Sequence, residues 1–230
     1  MRSNTGKDPE IDHALKREIN DLQDGAAELK IRFSEDQLQR FREYLVLLHD
    51  FQGRVHLLSR QDNMRIARRH MLPSLMARGF LHRTRLCDIG SGGGFPGIPL
   101  AIMDRDRNMA LFESIEKKAA VLEKVKDKLA LNTLEIIHGR AEYFEGDRFD
   151  TILLRAVGTI KKNLKLIDNL LTHRGRAIFY KTHEVEQELK QAQPLMVRLG
   201  FHADIHRLYT PLEQRPLAFV ILERKDRKKV

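Results

Sequence analysis

Leu86-Cys87-Asp88-Ile89-Gly90-Ser91-Gly92-Gly93-Gly94-Phe95-Pro96-Gly97-Ile98-Pro99 is the stretch whose reading decides the fold. A short apolar run ends in Asp88, and a glycine-dense turn opens into a second apolar run, Ile98 to Met103. The pattern is a strand, a tight loop and a helix start. Glycines at 90, 92 and 94 carry no Cβ, so the backbone there bends sharply and lies close to a bound molecule. The helix that follows offers free N–H groups and the positive end of its dipole. An α/β site for a nucleotide-type ligand is the natural reading.

Two ligands compete for this loop. Gly92, Gly94 and Gly97 fit G-x-G-x-x-G, and Glu113 lies 21 residues after Gly92, as a dinucleotide fingerprint requires. The rival pattern is acid-x-Gly-x-Gly, here Asp88, Gly90 and Gly92, with a second acid, Glu113, ending the next strand. S-adenosyl-L-methionine carries a cationic sulfonium and ammonium, which suit a strand-end carboxylate such as Asp88; the pyrophosphate of NAD would be repelled by it. Pro96 and Pro99 also interrupt the place where a dinucleotide loop runs straight into its helix. The residues therefore favour S-adenosyl-L-methionine over NAD, with a ligand-free structural turn as the bland alternative.

The chain has 230 residues and 42% hydrophobic content, enough for one large domain with a real core. Its longest apolar stretches are too short to span a membrane, and Met1 to Glu10 lacks the apolar segment of a signal peptide. A single cysteine, Cys87, rules out an internal disulfide framework and fits a reducing cytoplasm. The formal net charge of +9 favours a polyanionic partner. Distribution sharpens the point. Between Gly53 and Arg85 stand Arg54, Arg60, Arg65, Arg68, Arg69, Arg78, Arg83 and Arg85 against one acid, Asp62, and the C-terminal tail is again basic. Arginine forks pair with phosphate, which favours RNA over a merely solvated face or a membrane surface.

Residues 1–10 are expected to be disordered, 11–80 to form a basic helical cap, 81–225 the ligand-binding core, and 226–230 a basic tail. In the cap, Leu15, Ile19 and Leu22 stripe a helix over 11–30, Ser34 with Gln37 forms a capping box for the next helix, and a short basic helix covers 63–70. From Arg85 onward strands alternate with helices. Strands are predicted at 85–89, 108–113, 134–138, 150–154, 175–180, 203–209 and 217–223. Helices are predicted at 97–103, 115–131, 159–171 and 184–200. The last two strands are too closely linked to be parallel. The fold class is thus α/β, a class I (Rossmann-like) methyltransferase architecture: a seven-stranded, mostly parallel sheet with an antiparallel C-terminal strand and an N-terminal helical cap.

Asp88-Ile-Gly-Ser-Gly-Gly-Gly-Phe-Pro-Gly-Ile-Pro-Leu100 closely resembles the signature of a bacterial methyltransferase family, once called glucose-inhibited division protein B. Arg69-His70, Glu113-Ser114, Lys117-Lys118, Arg140-Ala141-Glu142, Arg155-Ala156 and Lys181 extend the resemblance over roughly residues 35 to 225. Pro73-Ser74, Leu154 and Thr182 depart from it, replacing an Asp-Ser pair, a serine and a glycine. These departures are expected to touch the substrate side more than the cofactor loop. The resemblance implies methylation of guanine N7 in small-subunit (16S) ribosomal RNA. It also implies cofactor contacts from Gly90, Phe95, Ala141, Glu142 and Arg155.

Chemistry supports several of these assignments. At the carboxyl ends of the strands, Glu113 is suited to accept both ribose hydroxyls, and the Ala141 amide with Glu142 to read an adenine edge. Guanine N7 has a free lone pair and no proton, so positioning alone suffices for its methylation. Arg140, Arg155 and Lys181 are the candidate catalytic residues, orienting phosphate, guanine O6 or the cofactor carboxylate. Arg68, Arg69, His70, Lys181 and Arg215 are the candidates for contact with RNA. Cys87, inside the first strand, is unsuited to be a cytosine nucleophile. Ribose 2′-O methylation with Lys181 as base is the strongest rival within the class. A non-catalytic RNA-binding assembly factor with a vestigial loop is the rival outside it. The scattered histidines give no metal spacing; His202 and His206 share a strand face too far apart. The expected partner is small-subunit ribosomal RNA or the assembled 30S particle, with no membrane, no metal and a monomeric chain.

Overall fold

A computed structural model describes residues 9–58 and 65–224. The expectations for residues 1–8, for 59–64 and for the basic tail beyond 224 lie outside the described residues. Seven strands form one sheet: β1 (Arg85–Ile89), β2 (Asn108–Glu113), β3 (Leu134–His138), β4 (Phe149–Arg155), β5 (Leu171–Lys181), β6 (Phe201–Tyr209) and β7 (Pro216–Arg224). Their order is β3-β2-β1-β4-β5-β7-β6. The first five are parallel, while β7 runs antiparallel to both β5 and β6. The strand order reverses beside β1, so a crevice opens where the loops after β1 and β4 separate, the usual seat of a ligand in such sheets.

Helices α1 (Pro9–Glu28) and α2 (Glu35–Gln52) precede the sheet, followed by a π-helical turn (Ala67–Met71) running into α3 (Leu72–Met76) and a 3-10 turn (Ala77–Phe80). The capping box at Ser34 and Gln37 is formed. Of the basic helix expected over 63–70, the described part is helical from Ile66 and takes the π form at Ala67–Met71, whose wider hydrogen-bond spacing leaves no mark in an apolar period. The remaining helices are α4 (Gly97–Met103), α5 (Glu116–Lys128), α6 (Ile160–Leu170) and α7 (Glu186–Leu199).

Alternation along each strand divides the core between the two faces of the sheet. Leu86, Leu111 and Leu153 face α4 and α5 and also the cap, whose Leu22, Phe41, Tyr44 and Leu48 join the same apolar cluster. Cys87, Phe112 and Leu154 face the other way, toward α6 and α7. At about 25 cal/mol per Å² of apolar surface, each buried Leu or Phe is worth roughly 1.5–3 kcal/mol, so the cap is bound through its own core residues. Two departures from the family pattern also lie in this interior: Leu154 is in the core, and Pro73 and Ser74 are buried in α3.

Strand β5 starts earlier than the predicted 175. Leu171 already pairs with Phe149, and the ladder then shifts register before Thr151 meets Arg176. Among the described residues no helix is long and apolar enough to cross a membrane.

Candidate active site

The loop after β1 is wired to its neighbours by its own amides. Gly90 N–H and Ser91 N–H both donate to the Phe112 carbonyl of β2, at 2.9 and 3.1 Å. Gly92 N–H donates to Glu113 Oε2 at 2.9 Å, and Ile115 N–H to Glu113 Oε1 at 2.8 Å. Glu113 is buried. Both its oxygens are engaged, yet each keeps a second lone pair for a ligand hydroxyl. Gly90 takes φ +71°, and a Cβ there would meet Val157 Cγ2 at 3.2 Å. At Gly94, φ +95°, a Cβ would lie 2.4 Å from Ile98 and 2.8 Å from the Tyr44 hydroxyl. At both places a side chain would be strained by the backbone and crowded by its neighbours.

Asp88 does not face a ligand openly. Its side chain is fully buried, and Oδ2 accepts the Gly97 N–H at 2.9 Å, tying the strand end to the first turn of α4. Burial drives its pKa up to about 7, against the lowering pull of the Gly97 N–H, of Ser91 and of Arg155. Oδ1 is buried and accepts no hydrogen bond among the described residues. A buried acceptor left in this state calls for a donor or a cation. With the glycine cradle and the spare lone pairs of Glu113, it fits S-adenosyl-L-methionine.

The cap reaches the loop directly. Tyr44 donates its hydroxyl to the Gly93 carbonyl, and burial pushes its pKa well up. The Phe95 ring packs between Tyr44 and His70, with centroids 5.4 and 5.0 Å away. Phe95 is buried, so its ring supports the loop from below. Tyr44 was not among the expected residues; it lies in a helical apolar stripe, where nothing distinguishes a core tyrosine from a loop contact.

Around the rim, Ala141 is buried at the head of a 3-10 turn, Ala141–Tyr143, while Arg140 and Glu142 are exposed beside it. Tyr143 is 80% exposed, an aromatic face that the sequence reading also passed over. After β4, Arg155 donates from Nη2 to the Arg69 carbonyl at 2.6 Å and from Nη1 to the His70 carbonyl at 3.4 Å. Its guanidinium therefore staples core to cap; the expected contact with phosphate, guanine O6 or the cofactor would be made from that position. The next turn is fixed by Asn163, which donates to the Val157 and Thr159 carbonyls at 2.6 and 2.8 Å.

Lys181 is corrected as a candidate base. Its Nζ donates to the Gly158 carbonyl and to Glu188 Oε1, both at 2.9 Å. Glu188 also accepts the Ile160 N–H, so one carboxylate holds both the lysine and the start of α6. The RNA candidates Arg68, Arg69 and Arg215 are likewise engaged inside the protein. Arg68 grips Asp21 through two bonds of 2.6 and 2.7 Å. Arg69 and Arg215 approach Glu213 at 4.0 and 3.8 Å. The Cys87 thiol is buried and its pKa pushed well up, which suits a core residue. His202, Asp204 and Glu223 bring one ligand atom each within 4.8 Å of one another, a metal-like grouping on β6 and β7 that was not expected. Glu223 is already paired with Arg176 at 2.7 Å.

Residues 37–216 match the family model described as rRNA small subunit methyltransferase G. Relatives bearing the name Ribosomal RNA small subunit methyltransferase G include one from Clostridium novyi, 31% identical over 189 residues, covering 78% of this chain and 78% of the relative. Another, from Fusobacterium nucleatum, is 35% identical over 160 residues, 67% of this chain and 69% of its own. Among solved structures, the glycopeptide N-methyltransferase MtfA complexed with S-adenosyl-L-methionine superposes with a TM-score of 0.57 at 10% identity, covering 68% of this chain and 94% of that one. Precorrin-6y C5,15-methyltransferase from Geobacter metallireducens gives 0.50 at 12% identity, over 73% and 90%. At such identities the two structures speak for the class I methyltransferase fold alone.

Proposed function

This chain belongs to the rRNA small subunit methyltransferase G family, and on that premise we propose that it transfers a methyl group from S-adenosyl-L-methionine to guanine N7 of 16S ribosomal RNA. The bound cofactor supplies an electrophilic methyl on a sulfonium. The chain supplies the seat. Glu113 accepts ribose hydroxyls while holding Gly92 in place, Ala141 and Glu142 read the adenine edge, and Asp88 sets the bend into α4 with its second oxygen left over for a cation. Arg140 and Tyr143, exposed beside the adenine turn, are placed to meet the RNA. Arg155 fixes the distance between cap and loop and so acts as a positioning residue. A cytoplasmic setting is supported by the single, unpaired and buried Cys87.

The observation that carries the choice of target atom is the state of Lys181. Its Nζ is already committed to Glu188 Oε1 and the Gly158 carbonyl, both at 2.9 Å, and is tied to these two partners rather than presented to a ribose hydroxyl. A ribose hydroxyl needs its proton removed; guanine N7 has none to lose. Alignment of the lone pair with the methyl group, at near-attack distance, is then the main requirement.

Transfer of labelled methyl to small ribosomal subunits, followed by nucleoside separation, is expected to place the label in 7-methylguanosine. Label in a 2′-O-methyl nucleoside would overturn the choice of atom. The variant Lys181→Arg keeps the ion pair but is never a base at neutral pH. It is expected to retain activity within about tenfold, whereas loss of a general base would cost ~10²–10⁴-fold.

A further inference from the structure

The turn between β6 and β7 carries Glu213 into the basic face of the cap. Its carboxylate is only 11% exposed, and Arg65 Nη1 binds Oε1 at 3.0 Å. Arg69 Nε and Arg215 Nη1 both face Oε2, at 4.0 and 3.8 Å. Three guanidinium groups thus converge on one anion. The arginines are unequal in access: Arg65 and Arg215 are more than half exposed, Arg69 about a quarter. Alongside lies a cleft of about 380 Å³ lined by Arg17, Asp21, Arg65, Arg68 and Glu213. Even with Asp21 and Glu213 counted, the arginines here outnumber the carboxylates.

Planar forks gathered round a single carboxylate present the geometry that binds a phosphodiester. Backbone conformation points the same way. Leu212 and Gln214, on either side of Glu213, both take left-handed backbone, at φ +65° and +49°. Such conformations are uncommon for residues other than glycine and have to be held by their surroundings. The seat also adjoins the cofactor loop. Arg69 gives its carbonyl to Arg155, and the next residue, His70, packs on Phe95.

We propose that Glu213 is a built-in stand-in for an RNA phosphodiester, its carboxylate holding the arginine seat of Arg65, Arg69 and Arg215 until an RNA backbone displaces it. This rests on the reading of the protein as an RNA-modifying enzyme and names the part of the surface that reads the RNA backbone. The stand-in keeps the arginines pre-oriented and opposes anions too weak to compete with an intramolecular carboxylate. RNA binding at the seat then carries a fixed internal cost, the same for cognate and non-cognate chains, which leaves weak polyanions unbound.

The test compares the whole wild-type chain with Glu213→Gln and Arg65→Gln for binding to a labelled 16S ribosomal RNA fragment across a salt series. A single-stranded RNA oligomer of unrelated sequence runs beside it. Glu213→Gln keeps the shape and removes the competing charge. It is expected to tighten both RNAs by about threefold to tenfold at low salt. It should also steepen the slope of log K against log salt by up to ~0.7–0.9, one phosphate's worth. Arg65→Gln is expected to weaken binding and flatten that slope, and in the double variant the gain from Glu213→Gln should shrink. Weaker or unchanged binding in a folded Glu213→Gln, or an unchanged slope in Arg65→Gln, overturns the proposal. Methyl transfer to small subunits is measured on the same preparations. Tightening without any wild-type methyl transfer would keep the seat and overturn the enzymatic reading; methyl transfer with an unchanged Glu213→Gln would do the reverse.

Discussion

A Gly90→Val variant is expected to fold and bind RNA but to lose S-adenosyl-L-methionine affinity by about a thousandfold, ~4 kcal/mol. Two independent effects meet at this residue. The backbone at φ +71° is one that a β-branched residue adopts only under strain, and the new Cβ would already crowd Val157 at 3.2 Å before its methyl groups are counted. The loop relieves both by moving, and movement breaks the bond from Gly90 N–H to the Phe112 carbonyl. The grip of Glu113 on Gly92, two residues on, is then strained as well. Strain of this kind costs about 1–3 kcal/mol, so the melting temperature should fall by roughly 3–10 °C for a domain of this size. Gly79→Val is the matched control, because a Cβ at Gly79 meets nothing within 4 Å. Isothermal titration with the cofactor, and anisotropy with RNA, read the two affinities separately. Wild-type cofactor affinity in a folded Gly90→Val would remove the loop from the binding site.

The loop was legible because its logic is local. Asp88, Gly90 and Gly92 lie within one turn, and Glu113 ends the next strand of the same βαβ unit, so spacing alone brings these groups together. The strands could be read for a related reason: alternation such as Leu86/Cys87 and Leu111/Phe112 sorts side chains between the two faces of a covered sheet. Strand β5 exposes the limit. Its start at Leu171 is fixed by backbone pairing with Phe149 across an irregular register, and main-chain hydrogen bonds leave no trace in side-chain pattern. Side-chain partners were hidden for a further reason. Arg68 finds Asp21 at a separation of 47 residues, Arg155 finds Arg69 at 86, and Arg65 finds Glu213 at 148. A basic run in sequence shows that cations are present; only the folded chain shows which of them its own carboxylates and carbonyls have taken. Lys181 illustrates the consequence, since its position at a strand end suited a catalytic base until α7 brought Glu188 against it.

Replacing Arg155 should disturb two things at once. Arg155→Ala is expected to lower methyl transfer to small subunits by about 10²-fold, in the range that misplacement of a reacting group costs. One part is mechanical. The carbonyls of Arg69 and His70 lose their guanidinium donor, and a hydrogen bond to a charged group is worth about 1.5–3 kcal/mol; the His70 carbonyl keeps the Ser74 hydroxyl at 2.6 Å. The π turn, and with it the arginine seat, is then free to shift relative to the glycine loop. The other part is electrostatic. Arg155 lowers the pKa of Asp88, which burial has raised to about 7, so its removal sends that pKa higher still. A cationic cofactor binds the ionised carboxylate better, so wild-type affinity should rise with pH through about 7, and the variant's rise should be displaced to more alkaline pH. Arg155→Lys separates the two effects. Its point charge restores much of the pH profile, but an ammonium lacks the planar fork that spans two carbonyls, so transfer should stay depressed. A mere packing residue would shift neither profile. Should Arg155→Ala keep both the wild-type pH dependence of cofactor binding and the wild-type rate, the cap would have to be positioned by its other contacts, among them those of Tyr44 and His70 with Gly93 and Phe95.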